Sequence, residues 1–106
     1  MFQTLETLYR TIESRKSASA DTSYIANLFA KGNVHIARKL GEEALETVLA
    51  SLSDSKEATV AESADLLLHL LVLWSAKGIA PQEVMAELKR REGTSGLEEK
   101  ASRTKE

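Results

Sequence analysis

The sequence predicts an all-α fold, a four-helix-bundle-like architecture built on one long helical hairpin. The 106 residues hold a single proline and are rich in Ala, Leu, Glu and Lys, the residue types that favour helix. Apolar positions recur at helical spacing in successive windows, and no stretch sustains the alternation of a strand. The breaks fall at the Ser- and Ala-rich residues 16–21, at Gly32, at Ser53-Asp54-Ser55 and at Gly78, the punctuation of short helix connections.

Each element has a local reason. Residues 2–15 carry Leu5, Leu8, Tyr9 and Ile12 at i, i+3, i+4 and i+7, an amphipathic helix. Asp21 or Thr22 is placed to cap a short second helix holding Tyr24, Ile25, Leu28 and Phe29, which Gly32 terminates. Helix three is expected from Val34 to Leu52, and helix four from Lys56 to Lys77 with Gly78 as its stop. Pro81 opens a fifth helix that runs to Arg91. Residues 93–106 are polar and charged with one large apolar side chain, so they are expected to form a flexible tail behind a 1–92 domain. Helices three and four are each roughly 30 Å long, at about 20 residues apiece, and their short connection makes them antiparallel neighbours.

Composition narrows the function classes. The chain is 42% hydrophobic and 28% charged, a globular balance. A net charge of −2 offers no basic footprint for nucleic acid or an anionic membrane. With no cysteine there are no disulfides, thiolate metal sites or cysteine nucleophiles. The start lacks a secretory pattern, and the longest apolar run, Leu66–Ala76, is interrupted by His69 and Ser75 and falls short of the ~20 residues of a membrane span. A cytoplasmic protein without nucleic-acid or membrane partners is expected.

The acidic residues carry the chemistry. Glu43 and Glu46 stand one turn apart on helix three, as do Glu62 and Asp65 on helix four, so each pair shares a face. A hairpin centred on Asp54 sets Glu43 level with Asp65 and Glu46 level with Glu62, and four carboxylates converge. Such a cluster repels itself unless it is protonated or neutralised, and an all-oxygen donor set suits a hard ion, Mg²⁺ or Mn²⁺. The helical wheel places Leu40, Ala44, Leu45, Val48 and Leu52 on one broad face of helix three, with Lys39, Glu43 and Glu46 roughly opposite. By itself that is also the pattern of solvated surface charge. Helix four shows only a narrow polar stripe of Glu62, Asp65 and His69 and is expected to be nearly engulfed. Its apolar breadth and the leucine face of helix three exceed what three short helices cover, which points to a homodimer with helices pooled from two chains. A di-iron carboxylate bundle is excluded, because that site needs Glu-x-x-His pairs on two helices and here Glu62 is followed at i+3 by Asp65.

Glu42-Glu43-x-x-Glu46 followed by Glu62-x-x-Asp65 resembles the signature of the all-α nucleoside triphosphate pyrophosphatases, the MazG-like superfamily. Leu5-x-x-Leu8, Ile12-x-x-Arg15, Ser23-Tyr24, Lys31-Gly32, Lys39-x-Gly41-Glu42-Glu43 and Asp65-Leu66-Leu67-x-His69 narrow the resemblance, over residues 2–91, to the phosphoribosyl-ATP pyrophosphatase family. That resemblance implies Mg²⁺-dependent hydrolysis of phosphoribosyl-ATP to phosphoribosyl-AMP and pyrophosphate, the second step of histidine biosynthesis. It implies Glu43, Glu46, Glu62 and Asp65 as metal ligands, and Glu42, Glu43 and Glu46 as the catalytic glutamates. Lys39 is placed for a phosphate contact or for an ion pair with Glu43. Arg15, Tyr24 and Lys31 lie in segments that resemble the substrate side, although Arg15 also fits a helix-end cation and Tyr24 a core position. His69 fits a hydrogen-bonded structural residue better than a substrate contact. The chain departs from the family pattern at Ile25, where threonine is usual, and at Leu68, where tyrosine is usual. Turnover of other nucleoside triphosphates through the same metal site, or a non-enzymatic helical scaffold, are the alternatives. A weak association with a separate phosphoribosyl-AMP cyclohydrolase, which consumes the product, is a further implied partnership.

Overall fold

Capping chemistry sets where the helices begin and end. In the computed structural model, which describes residues 2–103, the chain forms α1 (Phe2–Arg15), α2 (Tyr24–Lys31), α3 (Asn33–Ser51), α4 (Lys56–Ala76), α5 (Pro81–Arg90) and α6 (Gly96–Ser102). No strand occurs among the described residues, so the all-α expectation holds. The cap of α2 is Ser23 rather than Asp21 or Thr22: its hydroxyl accepts from the Ala26 N–H at 3.1 Å. Ser55 caps α4 in the same way, accepting from Ala58 at 3.0 Å. Gly32 serves two helices. At φ 93° it closes α2 by donating to the Phe29 carbonyl, while its own carbonyl accepts from Ile36 to open α3, a backbone that L side chains adopt only under strain. Past α4 the Ile79 N–H returns to the Trp74 carbonyl at 2.8 Å around Gly78, a Schellman-type stop.

The core is small and lies where α1, α2, α3 and α4 meet: Ile12, Leu28, Ile36, Leu71 and Val72 are fully buried and touch one another. Burying such side chains is worth about 1.5–3 kcal/mol each, which makes this cluster the main apolar anchor. Polar links tie the shorter helices to it. The Tyr9 hydroxyl donates to the Ile79 carbonyl at 2.7 Å, fixing α1 against the turn into α5. Buried Ser75 donates to Glu13, and Lys16 binds Glu13 at 2.8 Å and the Ser75 carbonyl at 3.0 Å.

Three expectations need correction. The tail is not featureless: Ser95 accepts from the Glu98 N–H to cap α6, and Glu99, only 5% exposed, pairs with Arg90 and Arg103. The last three residues of that expected tail lie outside the described residues. Nor is α4 engulfed within one chain, since Val60 and Leu67 remain exposed. Finally, α4 has the length and, at a mean hydropathy of 1.3, the composition of a membrane-crossing helix. Its longest uninterrupted apolar run is shorter, because a window average absorbs Glu62, Asp65 and His69. Here the helix packs in the bundle, mostly against α3 and α1.

The leucine face of α3 is uncovered. Leu45, Val48, Leu49 and Leu52 are all exposed, Leu52 by 79%, while Glu43 on the opposite face is 8% exposed. The polar side of α3 therefore faces α4, and its apolar side faces outward.

Candidate active site

Two threonines fix the register of the α3–α4 hairpin. The Thr47 hydroxyl is shared between the Glu43 carbonyl of its own helix at 2.8 Å and the Glu62 carbonyl of α4 at 3.1 Å. Thr59 reaches back from α4 to the Ala50 carbonyl at 3.2 Å. These bonds put Thr47 level with Glu62 and so bring the two acidic pairs together, within one residue of the predicted alignment. Sequence reasoning missed both threonines. Their only signal was a hydroxyl facing the partner helix beside each acidic pair.

Carboxylate oxygens of Glu43, Glu62 and Asp65 lie within 4.8 Å of one another. The Oε2 atoms of Glu43 and Glu62 are buried with no hydrogen-bond partner among the described residues. Burial pushes the Glu43 carboxyl above the ordinary carboxylate range, and the neighbouring Glu46 pushes it further. At Glu62 the contact with Glu46 is the larger cause of an upward shift, and burial adds to it. Glu46 thus bears on both residues, although it stands outside the three-oxygen group. Orphaned buried carboxylate oxygens that repel one another are costly, and a cation set between them would remove both penalties. The residues present therefore fit an oxygen-ligated divalent ion.

A cation and a hydrogen-bonded pair border this cluster. Lys39 Nζ lies 3.3 Å from Glu42 Oε1 and 3.9 Å from Glu43 Oε1, and the bond to Glu42 holds its ammonium above the usual lysine value. The ion pair with Glu43 weighed in the sequence is formed, but as the longer of two. Glu42 stays half exposed on the lysine side and contributes no oxygen to the three-carboxylate group. Tyr24 is not core: it is 52% exposed, and its hydroxyl meets buried His69 at 2.8 Å. The rings sit edge to face at 5.8 Å. The Tyr24 phenol is raised by burial and feels Lys39, Glu43 and Asp65, which sets it at the margin of the acidic cluster. His69 is hydrogen-bonded on both ring nitrogens, the second contact running to the Asp65 carbonyl at 2.7 Å. Arg15 and Lys31 are exposed in the last turns of α1 and α2 and pair with no acidic side chain among the described residues. A shallow depression of about 530 Å³, lined by Gln3, Thr4, Thr7, Leu8 and Thr11, lies on α1 and shares no residue with the carboxylates.

A helical hairpin that turns two acidic i, i+3 pairs onto one another, with a lysine one turn away, defines an all-α protein with a converged carboxylate centre. Comparison with known proteins makes this particular. The sequence profile of the phosphoribosyl-ATP pyrophosphohydrolase family matches residues 5–92. Similar proteins include a phosphoribosyl-ATP pyrophosphatase of Paramagnetospirillum magneticum, 58% identical over 95% of this chain and 93% of that one. A second, from Rhizorhabdus wittichii, is 53% identical over 99% of both chains. A third, from Geobacter metallireducens, is 54% identical over 96% of this chain and 94% of its own. The chain belongs to the phosphoribosyl-ATP pyrophosphohydrolase family, as the motifs along α1 to α4 led one to expect.

Proposed function

We propose that this protein hydrolyses phosphoribosyl-ATP to phosphoribosyl-AMP and pyrophosphate with Mg²⁺, as the second step of histidine biosynthesis in the cytoplasm. The observation that carries the reading is the carboxylate cluster with its two buried, unpartnered oxygens, in a chain of this family. Glu43, Glu62 and Asp65 would hold the ion, with Glu46 beside them. The ion would neutralise the polyphosphate and lower the pKa of a nearby water. Lys39, on the same face of α3 one turn before Glu43 and paired with Glu42 and Glu43, would meet a phosphate oxygen once the substrate competes with Glu42 for it. Glu42 would then act by holding Lys39 rather than as a ligand.

The exposed leucine face of α3 supports a homodimer in which a second copy of the chain covers Leu45, Val48, Leu49 and Leu52. A contiguous apolar surface of this kind marks an interface. Sedimentation is expected to give about twice the chain mass of 11.6 kDa, and a compact monomer would refute it.

The test of activity is pyrophosphate release from phosphoribosyl-ATP and from a panel of nucleoside triphosphates, each with Mg²⁺ and with chelator. Metal-dependent turnover confined to phosphoribosyl-ATP is the expected result. Turnover of the triphosphates instead would transfer the site to another nucleotide, and silence on every substrate would refute the enzymatic reading.

A further inference from the structure

A ridge of cations leads away from the carboxylates along α3. Counting back from Glu43 at four-residue spacing gives Lys39 and then His35, and the next step reaches Lys31 at the end of α2. Side chains so spaced on a helix share a face, and at 1.5 Å rise per residue His35 stands about 12 Å along the axis from Glu43. Lys31 and Arg38 are exposed, and His35 is half-buried. The group is held together electrostatically. His35 lies below the ordinary histidine value, first through desolvation and then through Lys31, Arg38 and Lys39, with Glu42 pulling the other way. Glu42 is itself bound to Lys39 at 3.3 Å, and no acidic side chain pairs with Lys31, His35 or Arg38 among the described residues. By contrast Lys16, Arg90, Arg91 and Arg103 each stand against a carboxylate. Gathered cations without a counter-charge repel one another, and an anion set among them relieves that repulsion.

We propose that Lys31, His35 and Arg38 form a second anion site, which takes the 5-phosphate on the additional ribose of phosphoribosyl-ATP and so tells this substrate from a nucleoside triphosphate. The inference rests on the nucleotide-hydrolase reading above. That substrate has two anionic ends, a triphosphate on one ribose and a phosphate monoester on the other, with the purine between them. The carboxylate cluster serves the first end through its ion, with Lys39 beside it. The monoester needs cations of its own at a distance, because next to the acidic side chains it would meet like charge. The ridge offers them about two helical turns away on the same face. Arg38 presents a fork of N–H donors and Lys31 a mobile ammonium. His35 takes up a proton as the dianion arrives, since a nearby opposite charge favours the imidazolium. A nucleoside triphosphate leaves this place unfilled and forgoes its contribution to binding.

The experiment has one arm that needs no turnover. Ribose 5-phosphate at about 10 mM, enough to reveal millimolar binding, is added to the full-length protein while the His35 ring signals, assigned by their loss in His35→Gln, are followed by NMR between about pH 5 and 8. The His35 pKa is expected to rise in wild type and to rise less in Arg38→Gln, and ribose without phosphate is expected to leave it unmoved. No rise, or the same rise with ribose, overturns the proposal. The second arm compares kcat/KM of wild type, His35→Gln and Arg38→Gln on phosphoribosyl-ATP and on the same nucleotide lacking the 5-phosphate. Loss of one charge-assisted bond at a solvent-facing position predicts a decrease of about fivefold to tenfold, carried by KM, that shrinks below about twofold on the nucleotide without that phosphate. An equal loss on both nucleotides, or no loss on either, overturns the assignment. The Mg²⁺-dependent rise in Tm is expected to persist in both variants, and its disappearance would overturn the separation of the two sites. Should wild type release no pyrophosphate from phosphoribosyl-ATP, the functional reading fails while the ribose 5-phosphate titration still judges the cation ridge.

Discussion

Replacing Glu43 by Gln is expected to stabilise the metal-free protein and to abolish its response to Mg²⁺. Glu43 is 8% exposed, and its carboxyl is raised by burial and by Glu46. A carboxyl whose folded pKa lies above its unfolded one contributes stability that is present below the unfolded value and lost as pH rises through the folded value, so near neutrality its charge opposes folding. Two unit charges 4.8 Å apart, the limit of the cluster spacing, interact by about 3.5 kcal/mol at an effective dielectric of 20 and by about 0.9 kcal/mol in bulk water. Asp65 is exposed, so screening brings the relief toward about 1–2 kcal/mol, or about 5–10 °C in Tm for a domain of this size. Mg²⁺ at a hundredfold excess over its Kd adds about 2.7 kcal/mol to wild type by binding only the folded state. Thermal melts followed by circular dichroism, in chelator and in Mg²⁺ at pH 8, are therefore expected to cross: the variant melts higher without metal and wild type higher with it. The gap in chelator narrows as pH falls and Glu43 takes up its proton. A variant less stable than wild type in chelator, or an equal gain from Mg²⁺ in both proteins, would refute the assignment of Glu43 to a cation site.

Lys39→Ala is expected to weaken substrate binding or turnover by about 1.5–3 kcal/mol, the worth of a charge-assisted hydrogen bond, while leaving the Mg²⁺-dependent rise in Tm intact. Steady-state kinetics set beside melts would check this, and unchanged kinetics would reduce the lysine to the ion pairs it makes with Glu42 and Glu43. Glu99→Ala removes the acid that Arg90, Arg91 and Arg103 surround at 2.9, 3.7 and 3.2 Å. Because those arginines are partly exposed, the cost is expected to stay near 1–2 kcal/mol and to be local. Hydrogen exchange over residues 96–102 should accelerate while the core of α4 keeps its protection, and uniform acceleration across the chain would show that α6 is instead part of the cooperative core.

The helices of the hairpin were legible because their signals are local. Ser53-Asp54-Ser55 breaks two long periodic runs, and Ser55 both ends the connection and caps α4. The convergence of the two acidic pairs was legible for the same reason, since a short turn leaves little freedom of register. What the sequence hid were relations between distant or competing residues. Ser23 takes the α2 cap from Asp21 and Thr22 because its hydroxyl is the one within reach of the Ala26 N–H. The α6 helix looked like a tail because its seven residues bury almost nothing apolar and Leu97 is 83% exposed. Its signals were Ser95 with Glu98 three residues on, the start of a capping box, and Glu99 within reach of the arginines that end α5.

The acidic face of α3 is the instructive case, because a wheel drawn for one helix assigns polar residues to solvent and apolar residues to the core, and here both assignments reverse. Glu43 is buried while Leu52 on the opposite side is the more exposed. The reversal is affordable only if something offsets each side. On the polar side α4 presents Glu62 and Asp65, which raise rather than relieve the electrostatic cost, an offset that the proposed cation would supply. On the apolar side the leucines need a surface as apolar as their own, and in the proposed homodimer a second α3 would supply one by symmetry. On this proposal a single preference, α4 for the acidic face of α3, would account for the ion and the partner together. If the ion alone were at issue, mutating Leu52 would leave Mg²⁺ binding untouched. With the two demands coupled through one helix, Leu52→Glu is expected to weaken both dimerisation and the Mg²⁺-dependent rise in Tm, and a monomeric variant that keeps the full rise would uncouple them.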